Sequence, residues 1–153
     1  MCLGCYKYLR LNMLIYNQSK IQNTKSKIQN PKSKIENYFA MHEKVKEFRD
    51  YRASMNEKIL AADNKVMKRI YNIDTNTYME GALSSRTKEM LGLVSSMVLR
   101  CDDCVRYHLE KCHEQGVTTD ELFEIFSVAN LVGGTIVIPH TRRALEYWEA
   151  LNE

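Results

Sequence analysis

What this chain lacks narrows its class. No apolar run approaches the roughly 18 residues that cross a bilayer. The apolar opening, MCLGCYKYLRLNMLIY, is interrupted by Lys7 and Arg10. No small-residue cleavage site follows it, so a signal peptide is not expected. Cysteine is sparse and odd in number, at Cys2, Cys5, Cys101, Cys104 and Cys112. That set excludes the paired framework of a small secreted protein and fits a reducing cytoplasm. Acid is nearly missing from the lysine-rich first 40 residues, which hold only Glu36. The net charge of +3 is therefore a property of the tail and does not describe a nucleic-acid surface. No G-x-G-x-x-G occurs, and Gly133-Gly134 reads as a turn, not a phosphate loop.

At 153 residues, 44% apolar and 27% charged, the chain suits one globular domain. Residues 17–37, NQSKIQNTKSKIQNPKSKIEN, repeat Ser-Lys-Ile-x-Asn from Ser19, Ser26 and Ser33 with a period of seven. Each repeat carries one apolar residue, whereas a coiled-coil seam needs two, and Pro31 interrupts the tract. Residues 1–40 are expected to be a low-complexity tail, disordered or loosely helical. Met41 is a candidate start, which mass spectrometry of the native protein would test.

The domain proper is expected over 41–153, all-α and arranged as a helical bundle. Val45, Phe48, Tyr51, Met55 and Ile59 recur at helical spacing. Asn72 to Gly81 collects turn-prone residues. Ser84 or Ser85 then caps a helix to about Leu99, with Met90, Leu91, Val94, Met97 and Val98 as the expected buried stripe. A further helix from Cys101 to Gln115 stops at Gly116, and Thr118 with Glu121 forms a capping box for the next. Thr135–Ile138 is too short and unpartnered for a strand, so the remainder reads as a last helix.

Within this frame the stretch RCDDCVRYH, residues 100–108, carries chemistry. If a helix starts near Cys101, that thiol lies at the positive end of the dipole, which favours thiolate. Cys104 lies one turn on, within reach of a disulfide. His108, four residues further on, shares its face and can exchange a proton with it. Asp102 and Asp103 suit the helix N-terminus, although their charge opposes thiolate formation. The alternative is two buried thiols beside a surface histidine.

Glu89, eleven residues, Cys101, two residues, Cys104, three residues and His108 reproduce the E-x11-C-x2-C-x3-H signature. The chain from about Leu83 to Gly134 resembles the alkylhydroperoxidase D-like proteins of the carboxymuconolactone decarboxylase superfamily. That resemblance implies an all-helical homo-oligomer, a trimer or a hexamer. It implies a thiol-dependent peroxidase or disulfide reductase with an antioxidant role, acting on a peroxide or disulfide substrate. Cys104 would attack, Cys101 would resolve, the two would form a redox disulfide, and Glu89 with His108 would relay protons. A dihydrolipoyl or thioredoxin-like reductant is implied, with no cofactor, nucleic acid or membrane. Asp103 departs from the best-known peroxidases, which carry histidine there. A carboxylate supplies no such proton donor at neutral pH, so disulfide reduction stays open beside peroxide reduction. The decarboxylase branch normally lacks the cysteine pair.

His140, after Pro139 at a helix start, is an additional site candidate, or simply a helix-end partner. Cys112 reads as a small core residue, His113 as solvated, and Tyr107 and Trp148 as core or interface aromatics. Two rivals remain. Cys101 and Cys104 could hold zinc with the Cys2 and Cys5 pair, or with His108 and one more ligand such as Cys112 or His140. The chain could also be a non-catalytic helical oligomer.

Overall fold

The structure, a computed structural model, describes residues 31–152. The Cys2 and Cys5 pair and most of the expected tail lie outside them. Within them every regular element is a helix, with no strand. Helix α1 (Pro31–Ala61) opens on proline, whose fixed φ and missing donor suit a first helical position. Asn64 then starts α2 (Lys65–Thr77), its Oδ1 accepting from the Val66 and Met67 amides.

The turn expected over 72–81 begins only at Tyr78. Asn76 Nδ2 bonds the Asn72 carbonyl, and the Thr75 and Thr77 hydroxyls bond those of Tyr71 and Ile73. Side chains that could have competed with the helix are spent one turn back along it.

Ser84 caps α3 (Ser85–Val98), which runs to the cysteine segment. Helix α4 (Asp102–Glu114) follows, stopped by Gly116 at φ +70°. The Thr118–Glu121 capping box opens α5 (Thr119–Gly133) as expected. A single 3-10 turn (Thr135–Val137) leads into α6 (Ile138–Asn152).

From Ala40 onward the chain forms one compact unit. Helix α3 packs on α4 and α5, and α4 on α6. Leu93, Met97, Leu109, Leu122, Cys112 and Trp148 lie fully inside. Truncating any of the large aliphatic ones to alanine is worth about 2–5 kcal/mol. The buried face of α3 matches the expected stripe only in part: Met97 is buried and Met90 and Val94 pack against the core, but Leu91 is 54% exposed, and Glu89, Gly92, Leu93 and Ser96 point inward. The helix is turned so that a carboxylate enters the interior. That choice follows from what Glu89 meets there.

Candidate functional site

The cysteine segment is positioned by the end of α3. Arg100 adopts φ +59°, a left-handed conformation uncommon for a side-chain-bearing residue. Its amide donates to the Met97 carbonyl, and the Cys101 amide donates to the Ser96 carbonyl, each at 3.0 Å. This is the two-bond Schellman arrangement, with arginine where glycine is usual. It reverses the chain so that Cys101 becomes the N-cap of α4, its Sγ accepting from the Cys104 amide at 3.4 Å. Cys101 and Cys104 are joined by a disulfide, their Cα atoms 5.3 Å apart. Cys101 is half-buried, whereas Cys104 is exposed.

One turn beyond Cys104, His108 points inward and keeps only 7% of its surface exposed. Its Nδ1 lies 2.8 Å from Oε2 of Glu89, which is 3% exposed. A carboxylate accepts only, so Nδ1 carries the hydrogen and Nε2 faces away from Glu89. The Tyr78 hydroxyl stands 3.5 Å from that Nε2, with the two rings 5.2 Å apart. Burial, followed by the Glu89 charge, raises the Tyr78 phenol above its ordinary range, so it remains a donor. Gly92 gives the imidazole its place: a Cβ there would lie 2.5 Å from Cε1 and 2.8 Å from both ring nitrogens.

Cys104 and His108 line one cleft of about 330 Å³. Phe48, Tyr51, Met55 and Tyr107 form its apolar walls, and Arg52, Asp74 and Asp103 carry its charge. The Arg52 guanidinium sits 3.9 Å above the Tyr107 ring, a cation–π contact. Helix α1 thus supplies one side of a cleft whose cysteine and histidine belong to α4.

His140 is not among the residues lining that cleft. Its Nδ1 lies 2.6 Å from Asp102 Oδ1, at the start of α4. Arg143 reaches the same carboxylate, Nε to Oδ2 at 3.0 Å and Nη2 to Oδ1 at 3.3 Å. Burial alone would raise the Asp102 pKa, but the hydrogen bonds from His140 and Arg143 outweigh it and hold the carboxyl below its usual range. Cys112 is fully buried, and burial, followed by the Glu89 charge, pushes its thiol up to about 12. It is a core thiol, as the spacing implied. Among the described residues no cluster of three or more His, Cys, Asp or Glu side chains is arranged to hold a metal.

A model of the carboxymuconolactone decarboxylase family matches residues 64–147, a span containing Glu89, both cysteines of the pair, His108 and His140. The chain belongs to this family. Two crystal structures of a Thermotoga maritima protein superpose on it with TM-scores of 0.68 and 0.67, at 48% and 46% identity. They cover 70% and 69% of this chain and 94% and 90% of their own. The second is described as a carboxymuconolactone decarboxylase family protein with a suggested part in the antioxidative response. A family protein from Legionella pneumophila, 21% identical with TM-score 0.67, covers 72% of this chain and 98% of its own and shares the fold. A Cupriavidus necator protein is 29% identical over 73 residues, 48% of this chain, and a cox-locus protein of Paracoccus denitrificans is 26% identical over 68, 44% of it. The chain spans 65% and 61% of those two relatives.

In this carboxymuconolactone decarboxylase family chain the fold gathers Glu89, His108 and the cysteine pair on adjoining helices and leaves His140 with Asp102. Gly92, Tyr78 and the cleft walls escaped the sequence reading. Gly92 and Tyr78 reach His108 across 16 and 30 residues of chain, and nothing in the spacing signals a glycine reserved for an imidazole.

Proposed function

We propose that this protein is a thiol-dependent oxidoreductase that reduces peroxides or disulfides through the Cys101–Cys104 pair, in an antioxidant role. The observation that carries this reading is the exposed Cys104 beside His108 in one cleft, with the imidazole oriented by a buried carboxylate. In the reduced pair, His108 Nε2 takes the Cys104 proton, directly or through water. The thiolate attacks a peroxide oxygen. An S–O bond forms, the O–O bond breaks, and the leaving alkoxide takes the proton back from His108. Cys101 then attacks the sulfenic sulfur, water leaves, and the disulfide closes.

A dithiol of dihydrolipoyl or thioredoxin type would restore the pair, taking the disulfide's two sulfurs to thiols as its own are oxidised. Exposure favours Cys104 over Cys101 as the attacking sulfur, although the helix end favours Cys101 as the more acidic. Asp103, exposed and paired with Arg106 at 3.4 Å, stands where the best-known peroxidases carry a histidine, and its carboxylate does not replace that donor. Disulfide substrates, which need no proton donor at that position, are therefore part of the proposal. The protein would act as a homo-oligomer, a trimer or hexamer.

Stopped-flow mixing of the reduced protein with hydrogen peroxide and with an organic hydroperoxide tests the peroxidase arm. Oxidation should be rapid in the wild type, lost in Cys104→Ser, and arrested at the sulfenic acid in Cys101→Ser. Glu89→Gln should slow it by about 10²-fold. A reduced pair inert to both peroxides and to a small disulfide would remove the proposal.

A further inference from the structure

The cluster of Asp102, His140 and Arg143 takes no part in the chemistry above, yet it adjoins the pair covalently through Cys101. Asp102 follows that cysteine in the first turn of α4, close enough for its charge to disfavour a thiolate there. In the structure the charge does not stand alone. Arg143 lays two N–H groups on the carboxylate, Nε on Oδ2 at 3.0 Å and Nη2 on Oδ1 at 3.3 Å, and His140 donates from Nδ1 at 2.6 Å. The 2.9 Å approach of Arg143 Nη2 to His140 Nδ1 is then proximity, because that nitrogen already carries a hydrogen committed to Asp102. The next carboxylate, Asp103, turns to Arg106 instead. Both partners of Asp102 come from α6, the last helix.

We infer that His140 and Arg143 are positioning residues that set the reduction potential of the Cys101–Cys104 pair by neutralising Asp102. Reduction takes two electrons and two protons and leaves thiols that ionise at the helix end. Anything that stabilises thiolate there makes the disulfide easier to reduce. A compensated Asp102 leaves the helix dipole unopposed, whereas a bare one opposes it. The inference rests on the pair being reversibly redox-active, as proposed above, but does not depend on peroxide as the oxidant.

The test is a redox titration of the full chain against reduced and oxidised dithiothreitol at pH 8.5, with the pair followed by mass-tagging of free thiols. Arg143→Met exposes the Asp102 charge and should make the potential more negative by 20–30 mV, about a five- to tenfold change in the exchange equilibrium. Asp102→Asn removes that charge and should move it by a similar amount in the opposite direction. The double variant should return near the wild type. Loss of helix anchoring alone would shift both single variants the same way, so opposite signs are the signature of charge. Same-sign shifts, or shifts below about twofold in both, overturn the inference and leave the function standing. A pair that cannot be reversibly reduced overturns both. Thermal melts of each variant confirm that folded protein is being titrated.

Discussion

At the scale of single residues, the least conspicuous side chain near the site is the one that is missing. Gly92 lets the His108 ring lie against α3, because any Cβ would press into Cε1 at 2.5 Å. Gly92→Ala must therefore push the imidazole off Glu89 or off the cleft. A displacement of about 1 Å is enough to cost about 10²-fold in rate. The expected outcome is that loss in thiol oxidation, with about 1–3 kcal/mol of destabilisation from overpacking, read by stopped flow and by urea denaturation. Retention of full activity would show that the ring need not sit there. Cys112 makes a second, opposite test. With its thiol raised to about 12 and its surface buried, it should resist iodoacetamide at pH 8 in the folded, reduced protein while Cys104 is alkylated. Peptide mapping reads both sites at once.

At the scale of helices, the starts of α3 and α5 are tied together by Arg86 and Glu121, whose Nη2 and Oε2 lie 2.5 Å apart. The hydrogen bond from Arg86, then the bond from the Thr118 amide, lowers the Glu121 carboxyl from 4.5 to about 2. A carboxylate held low in the folded chain stabilises it above the unfolded pKa and loses that contribution as pH falls through the folded one. The melting temperature of the wild type should thus exceed that of Glu121→Gln at pH 7. The gap should shrink between pH 4.5 and about 2 and close below it. A gap that persists unchanged at pH 2 would mean that the charge is not its source.

This is also the scale at which the sequence was most readable. Thr118 with Glu121, Ser84 and Gly116 act within three or four residues of themselves, so their roles follow from local chemistry alone. The face of α3 was harder to read. Hydrophobic periodicity assumes that carboxylates point outward, and Glu89 points inward because a histidine 19 residues away receives it. Only the family signature brought Glu89 and His108 together in advance. The link from Asp102 to His140, across 38 residues, had no such signature and was invisible until α6 folded onto α4.

At the scale of the whole molecule, α2 and α5 are among the helices that leave apolar side chains in solvent. On α2, Val66, Ile70 and Ile73 are all at least half exposed, and none of its residues is buried. Along α5 and beyond, Leu131 is 85%, Val132 67% and Ile136 56% exposed. Faces of this kind mark association surfaces, in keeping with the homo-oligomer proposed above. Leu131→Asp should lower the mass seen by light scattering after gel filtration while leaving the melting of the isolated subunit nearly unchanged. An unaltered mass would place the contact elsewhere. A last consequence belongs to Cys101, whose sulfur begins helix α4. In the oxidised chain the helix end is held by a covalent loop. On reduction that loop opens, but an ionised sulfur left at the same position is a stronger acceptor for the Cys104 amide than the disulfide was. In the redox cycle proposed above, the helix would trade a tether for an anion at each turnover and keep its first turn throughout, so electrons would pass through this site without the scaffold unwinding to let them through.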